Sequence, residues 1–148
     1  MTVHSLLLIE DNPDDIELIL RVLTKVVARQ EILLCRDGVN ALDYLFCRAG
    51  HAQRNPQEQP RLVMLDLALP RMSGFEVLRE IRAGVHTRLV PVVLLSASDT
   101  QQNIRAAARF GANSYVKKSQ DYASLERTVE LLARYWLELN IPPPAELD

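Results

Sequence analysis

The sequence of 148 residues has only two cysteines, no long apolar run and no surplus of basic side chains. Cys35 and Cys47 stand twelve residues apart, without a CxxC motif or a zinc-ligand spacing, so we expect two free thiols. No segment approaches the roughly 18 apolar residues of a membrane span, and the first residues lack the charged and apolar regions of a signal peptide. We therefore expect a cytoplasmic protein without a membrane partner.

The charge balance is close to even, with 17 basic and 19 acidic side chains and a formal net charge of −2. Proteins that bind nucleic acid through its phosphates usually carry a basic surplus, so direct nucleic-acid binding is not expected. The length fits one domain of ordinary size. The glycine-rich phosphate loop, the HExxH zinc motif and the GxSxG nucleophile motif are all missing from the sequence, which disfavours those enzyme classes.

Short apolar runs alternate along the chain with segments of helical period. Runs that are apolar on both faces are typical of parallel strands covered by helices on both sides. The runs are Leu6–Ile9, Ile32–Leu34, Leu62–Leu65, Val92–Leu95 and Tyr115–Val116. Helix starts are indicated at Asn12-Pro13 and at the capping box from Ser73 to Glu76. The pattern predicts an α/β fold of the (βα)₅ type, with an exposed loop over residues 48–60 and a last helix from about 121 to 139.

Polar residues follow the predicted strands where each of them ends. In an open parallel sheet these ends meet at one edge, which is where ligands bind. The residues there are Glu10, Asp11, Asp66, Ser96 and the pair Lys117-Lys118. Each residue alone would serve as a helix cap or a surface charge, but three carboxylates with a hydroxyl and an ammonium predict Mg²⁺-assisted phosphoryl chemistry with a carboxylate acceptor.

Four segments resemble the receiver domains of two-component response regulators. They are LLLIEDNPDD, VMLDLALPRMSGFEVL, VVLLSAS and GANSYVKKS. The intervals also fit, with 30 residues from Asp66 to Ser96 and 22 from Ser96 to Lys118. The resemblance implies a flavodoxin-like sandwich with a five-stranded parallel sheet in the order 2-1-3-4-5. It also implies no enzymatic activity beyond Mg²⁺-dependent phosphorylation and dephosphorylation of the chain itself.

The resemblance assigns roles to the residues at this edge. Asp66 is implied to accept a phosphoryl group from a phosphohistidine of a histidine kinase. Glu10, Asp11 and Asp66 are implied to hold Mg²⁺, together with the backbone carbonyl of Ala68. A small phosphohydrolase with an Asp nucleophile would need a second acid two residues after that nucleophile, and Ala68 stands there instead.

Further residues match the switching elements of the family. Lys118 is implied to pair with the phosphoryl group, Ser96 to move towards it, and the ring of Tyr115 to reorient as Ser96 moves. One departure is Ser119, where the family has a proline after a cis peptide bond. Either the bond is trans with a rearranged loop, or its surroundings hold it cis. A second hypothesis is therefore a pseudo-receiver, which binds partners independently of phosphorylation. Lys117 is an alternative to Lys118 as the lysine that pairs with the phosphoryl group.

A narrower resemblance concerns RDGVNALDYLF, the loop after it and the ending ARYWLELNIPPP. These resemble the small response regulators that partner bacterial and cyanobacterial phytochrome kinases. The resemblance implies a phytochrome-type kinase and a homodimer through the face made by the fourth helix, fifth strand and fifth helix. We predict a single receiver domain over residues 1–148, with a core of about 4–130, a loop insertion over about 48–60 and a C-terminal dimerisation extension over about 131–148.

The last predicted helix carries an apolar stripe with spacings of 4, 3, 4 and 3. Its members are Leu125, Val129, Leu132, Trp136 and Leu139, with Leu131 and Tyr135 beside them. Two alternatives follow for its end. Trp136 and Leu139 cover the lower edge of their own domain, or Tyr135, Trp136 and Leu139 pack on a second subunit. We predict the second alternative, a homodimer.

Overall fold

A computed structural model of the protein describes residues 4–144. The first three and last four residues of the predicted 1–148 domain, including the end of its extension, lie outside the described residues. Five parallel strands form one sheet in the order β2-β1-β3-β4-β5, as the resemblance implied. Their bounds are β1 Leu6–Ile9, β2 Ile32–Cys35, β3 Leu62–Asp66, β4 Val92–Ser96 and β5 Ser114–Lys117.

Five α-helices connect and follow the strands. They are α1 Pro13–Leu23, α2 Gly38–Leu45, α3 Gly74–Ala83, α4 Gln101–Arg109 and α5 Tyr122–Arg134. Each begins after a residue whose side chain accepts a hydrogen bond from a backbone N–H of the first turn; these caps are Asn12, Asp37, Ser73, Thr100 and Asp121. The capping box predicted at Ser73 and Glu76 is present. Local sequence therefore determines where each helix starts.

The helices cover both faces of the sheet, so the core has two halves. Along β1, Leu7 and Ile9 pack with side chains of α2, α3 and α4, while Leu6 and Leu8 pack with those of α1 and α5. Alternate residues of a strand point to opposite faces, and both faces of β1 are fully buried. The doubly wound (βα)₅ architecture predicted from the sequence is confirmed.

The last helix differs in detail from the predicted stripe. The α-helix ends at Arg134 and continues as a π-helical turn over Tyr135–Leu139, which closes with a bond of 2.6 Å from Asn140 N–H to Tyr135 O. The buried side chains are spaced by four and are Leu125, Val129, Ala133 and Leu137. The buried positions shift by one from the predicted stripe and leave Leu139 72% exposed, so the alternative in which Leu139 covers its own domain is wrong.

Residues 140–144 lie at the edge of the sheet where the strands begin. The guanidinium of Arg61, the residue before β3, donates to Asn140 O at 3.1 Å. A groove here is lined by residues at the end of the exposed loop over 48–60, such as Gln59 and Pro60, and by Pro142–Pro144. None of the helices within residues 4–144 combines the length and the hydropathy of a membrane span.

Candidate functional site

The opposite edge, at the carboxyl ends of the strands, brings the predicted residues together. Asp66 and Ser96 are the last residues of β3 and β4, and both are buried. Lys118 follows β5, and its backbone N–H donates to Ser96 O at 2.7 Å. Glu10 follows β1 and is fully buried. The sheet hydrogen bonds therefore hold all four residues at one edge.

Three carboxylates form a compact cluster at this edge. One oxygen each from Glu10, Asp11 and Asp66 lies within 4.8 Å of the others. Glu10 and Asp66 are buried while Asp11 is exposed, so the cluster opens to solvent on one side. A set of oxygen ligands that keeps an open side suits a hard divalent cation that retains water molecules. These residues fit a divalent metal site.

Lys118 is the cation of the site. Its Nζ lies 2.7 Å from Glu10 Oε1, 2.8 Å from Asp15 Oδ2 and 3.5 Å from Asp66 Oδ1. Lys117 instead points away and pairs with Asp99 at 3.2 Å on the surface. Of the two lysines that the sequence left open, Lys118 is the one in the acidic cluster.

The surroundings of Asp66 and Lys118 shift the pKa of both side chains. Burial, a hydrogen bond with Glu10 and the charge of Glu10 raise the pKa of Asp66 to about 7, although Lys118 and the Ala68 N–H oppose them. Burial acts to lower the pKa of Lys118, but its bonds to Asp15 and Glu10 and the nearby carboxylate charges outweigh burial and raise it. The cluster thus has more negative charge than one ammonium balances.

Ser96 and Tyr115 both contact Ser98 in the loop after β4. Ser96 Oγ accepts from the Ser98 N–H at 3.0 Å, and the Tyr115 hydroxyl donates to Ser98 O at 2.6 Å. A movement of the Ser96 hydroxyl would break its bond to this loop. The two residues matched to the family's switch are therefore connected through one backbone segment.

The loop after Lys118 has the trans form of the two alternatives left open above. Residues 4–144 contain no cis peptide bond, so Lys118 and Ser119 are joined in trans. The Ser119 hydroxyl accepts from the Asp121 N–H at 3.1 Å, and Asp121 in turn caps α5. Ser119 thus closes the turn that leads into the last helix.

Two residues of the site escaped the sequence analysis. Asp15 bonds Lys118 from the first turn of α1, although it lies in the acidic segment LLLIEDNPDD; only the sheet arrangement brings that turn beside β5. Gly74 opens α3 directly behind Asp66, and a Cβ atom there would lie 2.7 Å from Asp66 O. Glycine is therefore required for α3 to pack against the end of β3.

The loop between β3 and α3 carries Ala68 and forms an ion pair with the start of α2. Ala68 N–H donates to Asp66 Oδ1 at 3.4 Å. Arg71, with a left-handed φ of 66°, pairs with the buried carboxylate of Asp37 at the start of α2. This ion pair fixes the loop in which the predicted metal-binding carbonyl of Ala68 stands.

Comparison with known proteins points to one family. The response regulator receiver domain matches residues 6–130. The chain is 38% identical over 138 residues to the probable methanogenesis regulatory protein FilR2 of Methanothrix harundinacea, covering 93% of this chain and 86% of that protein. It is 33% identical over 140 residues to response regulator Rcp1 of Synechocystis, covering 95% and 93% of the two chains.

Solved structures agree with this similarity. The phosphorylated cyanobacterial phytochrome response regulator RcpA has a TM-score of 0.87 and 33% identity, covering 95% of this chain and 99% of its own. The Mn²⁺-bound form of Rcp1 has a TM-score of 0.83 and 31% identity, covering 93% and 97%. Both similarities extend over nearly the whole length of the chains compared.

Proposed function

The chain belongs to the response regulator receiver domains of two-component systems, and from this premise we propose that Asp66 is its phosphoryl acceptor. The observation that carries the assignment is the position of Asp66 at the buried end of central strand β3, 3.5 Å from the Lys118 ammonium. An Asp66 oxygen attacks the phosphorus, the P–N bond of the kinase phosphohistidine breaks, and the imidazole leaves. Lys118 donates to the phosphoryl oxygens.

We propose Mg²⁺ as the metal, held by Glu10, Asp11 and Asp66 with the backbone carbonyl of Ala68. The acidic cluster supports this, as does the Mn²⁺-bound structure of the relative Rcp1. When bound, the ion neutralises charge on the carboxylates and on the transferring group. The chain thereby promotes its own phosphorylation and dephosphorylation, and we propose no other enzymatic activity.

The conformational output begins at the phosphoryl group. Ser96 leaves its bond to the Ser98 N–H and donates to the new phosphoryl oxygens, and Tyr115 loses its fixed acceptor as the loop moves. The segment that shifts comprises α4, β5 and α5. Contacts made only after phosphorylation favour the active arrangement, which is a population shift.

We infer a partner kinase of the phytochrome type, because the relatives Rcp1 and RcpA cover this chain almost end to end and RcpA is a phytochrome response regulator. The chain then acts as a single cytoplasmic receiver domain with a core of about 4–130, an insertion at about 48–60 and an extension at about 131–148. Its output is protein contact, without direct binding of nucleic acid or membrane.

Beryllofluoride, which mimics a phosphoryl group on aspartate, tests this function. With Mg²⁺ we expect chemical-shift changes around Asp66, Ser96 and Tyr115. The fluorine atoms of the adduct take the place of phosphoryl oxygens and would accept a hydrogen bond from Ser96. Nuclear magnetic resonance spectra of the full chain measure the changes, with Asp66→Asn and a sample without Mg²⁺ as controls. If the wild-type spectrum does not respond, the chain is a pseudo-receiver and the proposal fails.

We also propose a homodimer through the outer side of the last helix. Leu131, Tyr135 and Leu139 are spaced by four and are 71%, 47% and 72% exposed, and Trp136 lies half-buried beside Tyr135 at a ring distance of 5.0 Å. A large apolar patch with two aromatic rings is typical of an association surface. Ile104 of α4 is also exposed, in agreement with the α4–β5–α5 face that the family resemblance implies.

Replacing Leu139 with Glu is expected to give monomers, because a charge would be buried between the subunits. Light scattering at micromolar concentration should give twice the chain mass of 16.8 kDa for the wild type and the single mass for the variant. Val39→Glu is the matched control, since Val39 is 44% exposed on α2, on the other face of the sheet. A wild-type mass of 16.8 kDa would exclude the dimer.

A further inference from the structure

Lys118 has more carboxylate partners than a phosphoryl-binding lysine needs. An ammonium has three N–H donors, and among the described residues three carboxylates face this one, those of Glu10, Asp15 and Asp66. The two shortest contacts, to Glu10 and Asp15, are hydrogen bonds, while the contact of 3.5 Å to Asp66 is the longest. Two of the three donors are therefore used away from the phosphoryl acceptor.

Glu10 and Asp15 differ in their surroundings. The Glu10 side chain is 1% exposed and belongs to the acidic cluster, so a bound cation would take over part of its charge. The Asp15 side chain is 22% exposed, lies outside that cluster and lines a groove with Lys118 and Ser119. A cation at the cluster would therefore weaken the ion pair between Glu10 and Lys118 more than the ion pair between Asp15 and Lys118.

We propose that Asp15 is a positioning residue that restrains Lys118 before phosphorylation and competes with the phosphoryl group for it. The proposal rests on the proposed function, in which Lys118 donates to the phosphoryl oxygens. With a cation in place, Asp15 is the remaining carboxylate that draws the ammonium towards α1. Its negative charge also lies close to the group that gains charge on phosphorylation, which disfavours the product.

A neutral residue of the same shape should release this restraint. In Asp15→Asn the amide oxygen is a weaker acceptor, so the ammonium turns more readily towards Asp66. We expect the affinity for beryllofluoride in saturating Mg²⁺ to rise about fivefold, which corresponds to about 1 kcal/mol. A merely structural role of Asp15 would instead leave the affinity for beryllofluoride unchanged or lower it.

Asp14→Asn is the matched control. Asp14 neighbours Asp15 in the first turn of α1 and lines the same groove, so its replacement removes the same charge from the same helix end. Its backbone N–H donates to Asn12 Oδ1, and Lys118 bonds Asp15 rather than Asp14. The two variants therefore separate the contact with Lys118 from the general loss of negative charge.

The outcomes are distinct. Tighter beryllofluoride binding in Asp15→Asn than in both the wild type and Asp14→Asn supports the restraint. Equal binding in the two variants, or weaker binding in Asp15→Asn, overturns it. Full-length wild-type protein that fails to bind beryllofluoride with Mg²⁺ contradicts the proposed function instead. Thermal unfolding of all three proteins establishes that each is folded under the binding conditions.

Discussion

Replacing Asp66 with Asn is expected to abolish phosphoryl acceptance without loss of the fold. The amide cannot act as the attacking carboxylate, so labelling from acetyl phosphate should fall by at least about a hundredfold. Asp66 lies at the end of β3 and is not a partner in the helix caps, and asparagine has nearly the same volume. Mass spectrometry of the intact protein, with Mg²⁺ present, measures the phosphorylated fraction.

Asp14→Asn serves as the control for this labelling experiment. It removes one negative charge near the edge of the sheet but leaves the acidic cluster of Glu10, Asp11 and Asp66 intact. Its labelling should stay within about twofold of the wild type. Full labelling of Asp66→Asn would show that another side chain accepts the phosphoryl group.

The metal-free protein is expected to lose stability as the pH rises from about 4 to about 7. The folded-state pKa of Asp66 is raised to about 7 by burial and by Glu10, whereas an unfolded aspartate titrates near 3.9. Between these values the folded chain binds more protons than the unfolded chain, so its free energy of unfolding falls with pH. The full loss, reached above pH 7, should be about 2–4 kcal/mol.

Urea unfolding at a series of pH values, with a chelator present, measures this loss. Asp66→Asn cannot ionise at this position, so the Asp66 part of the loss should disappear and the variant should be more stable than the wild type at pH 8. Mg²⁺ should restore wild-type stability at pH 8, since a ligand that binds only the folded state stabilises it. A wild-type curve that matches the variant at every pH would contradict the raised pKa.

Much of this architecture follows from local patterns in the sequence. The apolar runs of β1, β3 and β4 become fully buried strands because each is covered on both faces. Residues such as Asn12, Asp37 and Ser73 begin helices as their cap chemistry requires. Asp66 and Ser96 were predictable site residues because polar side chains directly after a buried apolar run must lie at the edge of the sheet.

Other features depend on contacts between distant segments. Asp15 reaches Lys118 across 103 positions of sequence, and neither residue alone indicates the pair. In the last helix the buried positions are Ala133 and Leu137 rather than Leu132 and Trp136, because they follow packing in the core shared with α1 rather than an ideal heptad.

The groove between Gln59, Pro60 and Pro142–Pro144 is a suitable place for a fluorescent dye. It joins the loop over 48–60 and residues 142–144 at the edge where the strands begin, with the length of the sheet between it and Asp66. A dye attached at Gln57, an exposed residue of that groove, would stand clear of the edge where a kinase is proposed to reach Asp66. Such a labelled chain would allow kinase encounters to be followed in real time.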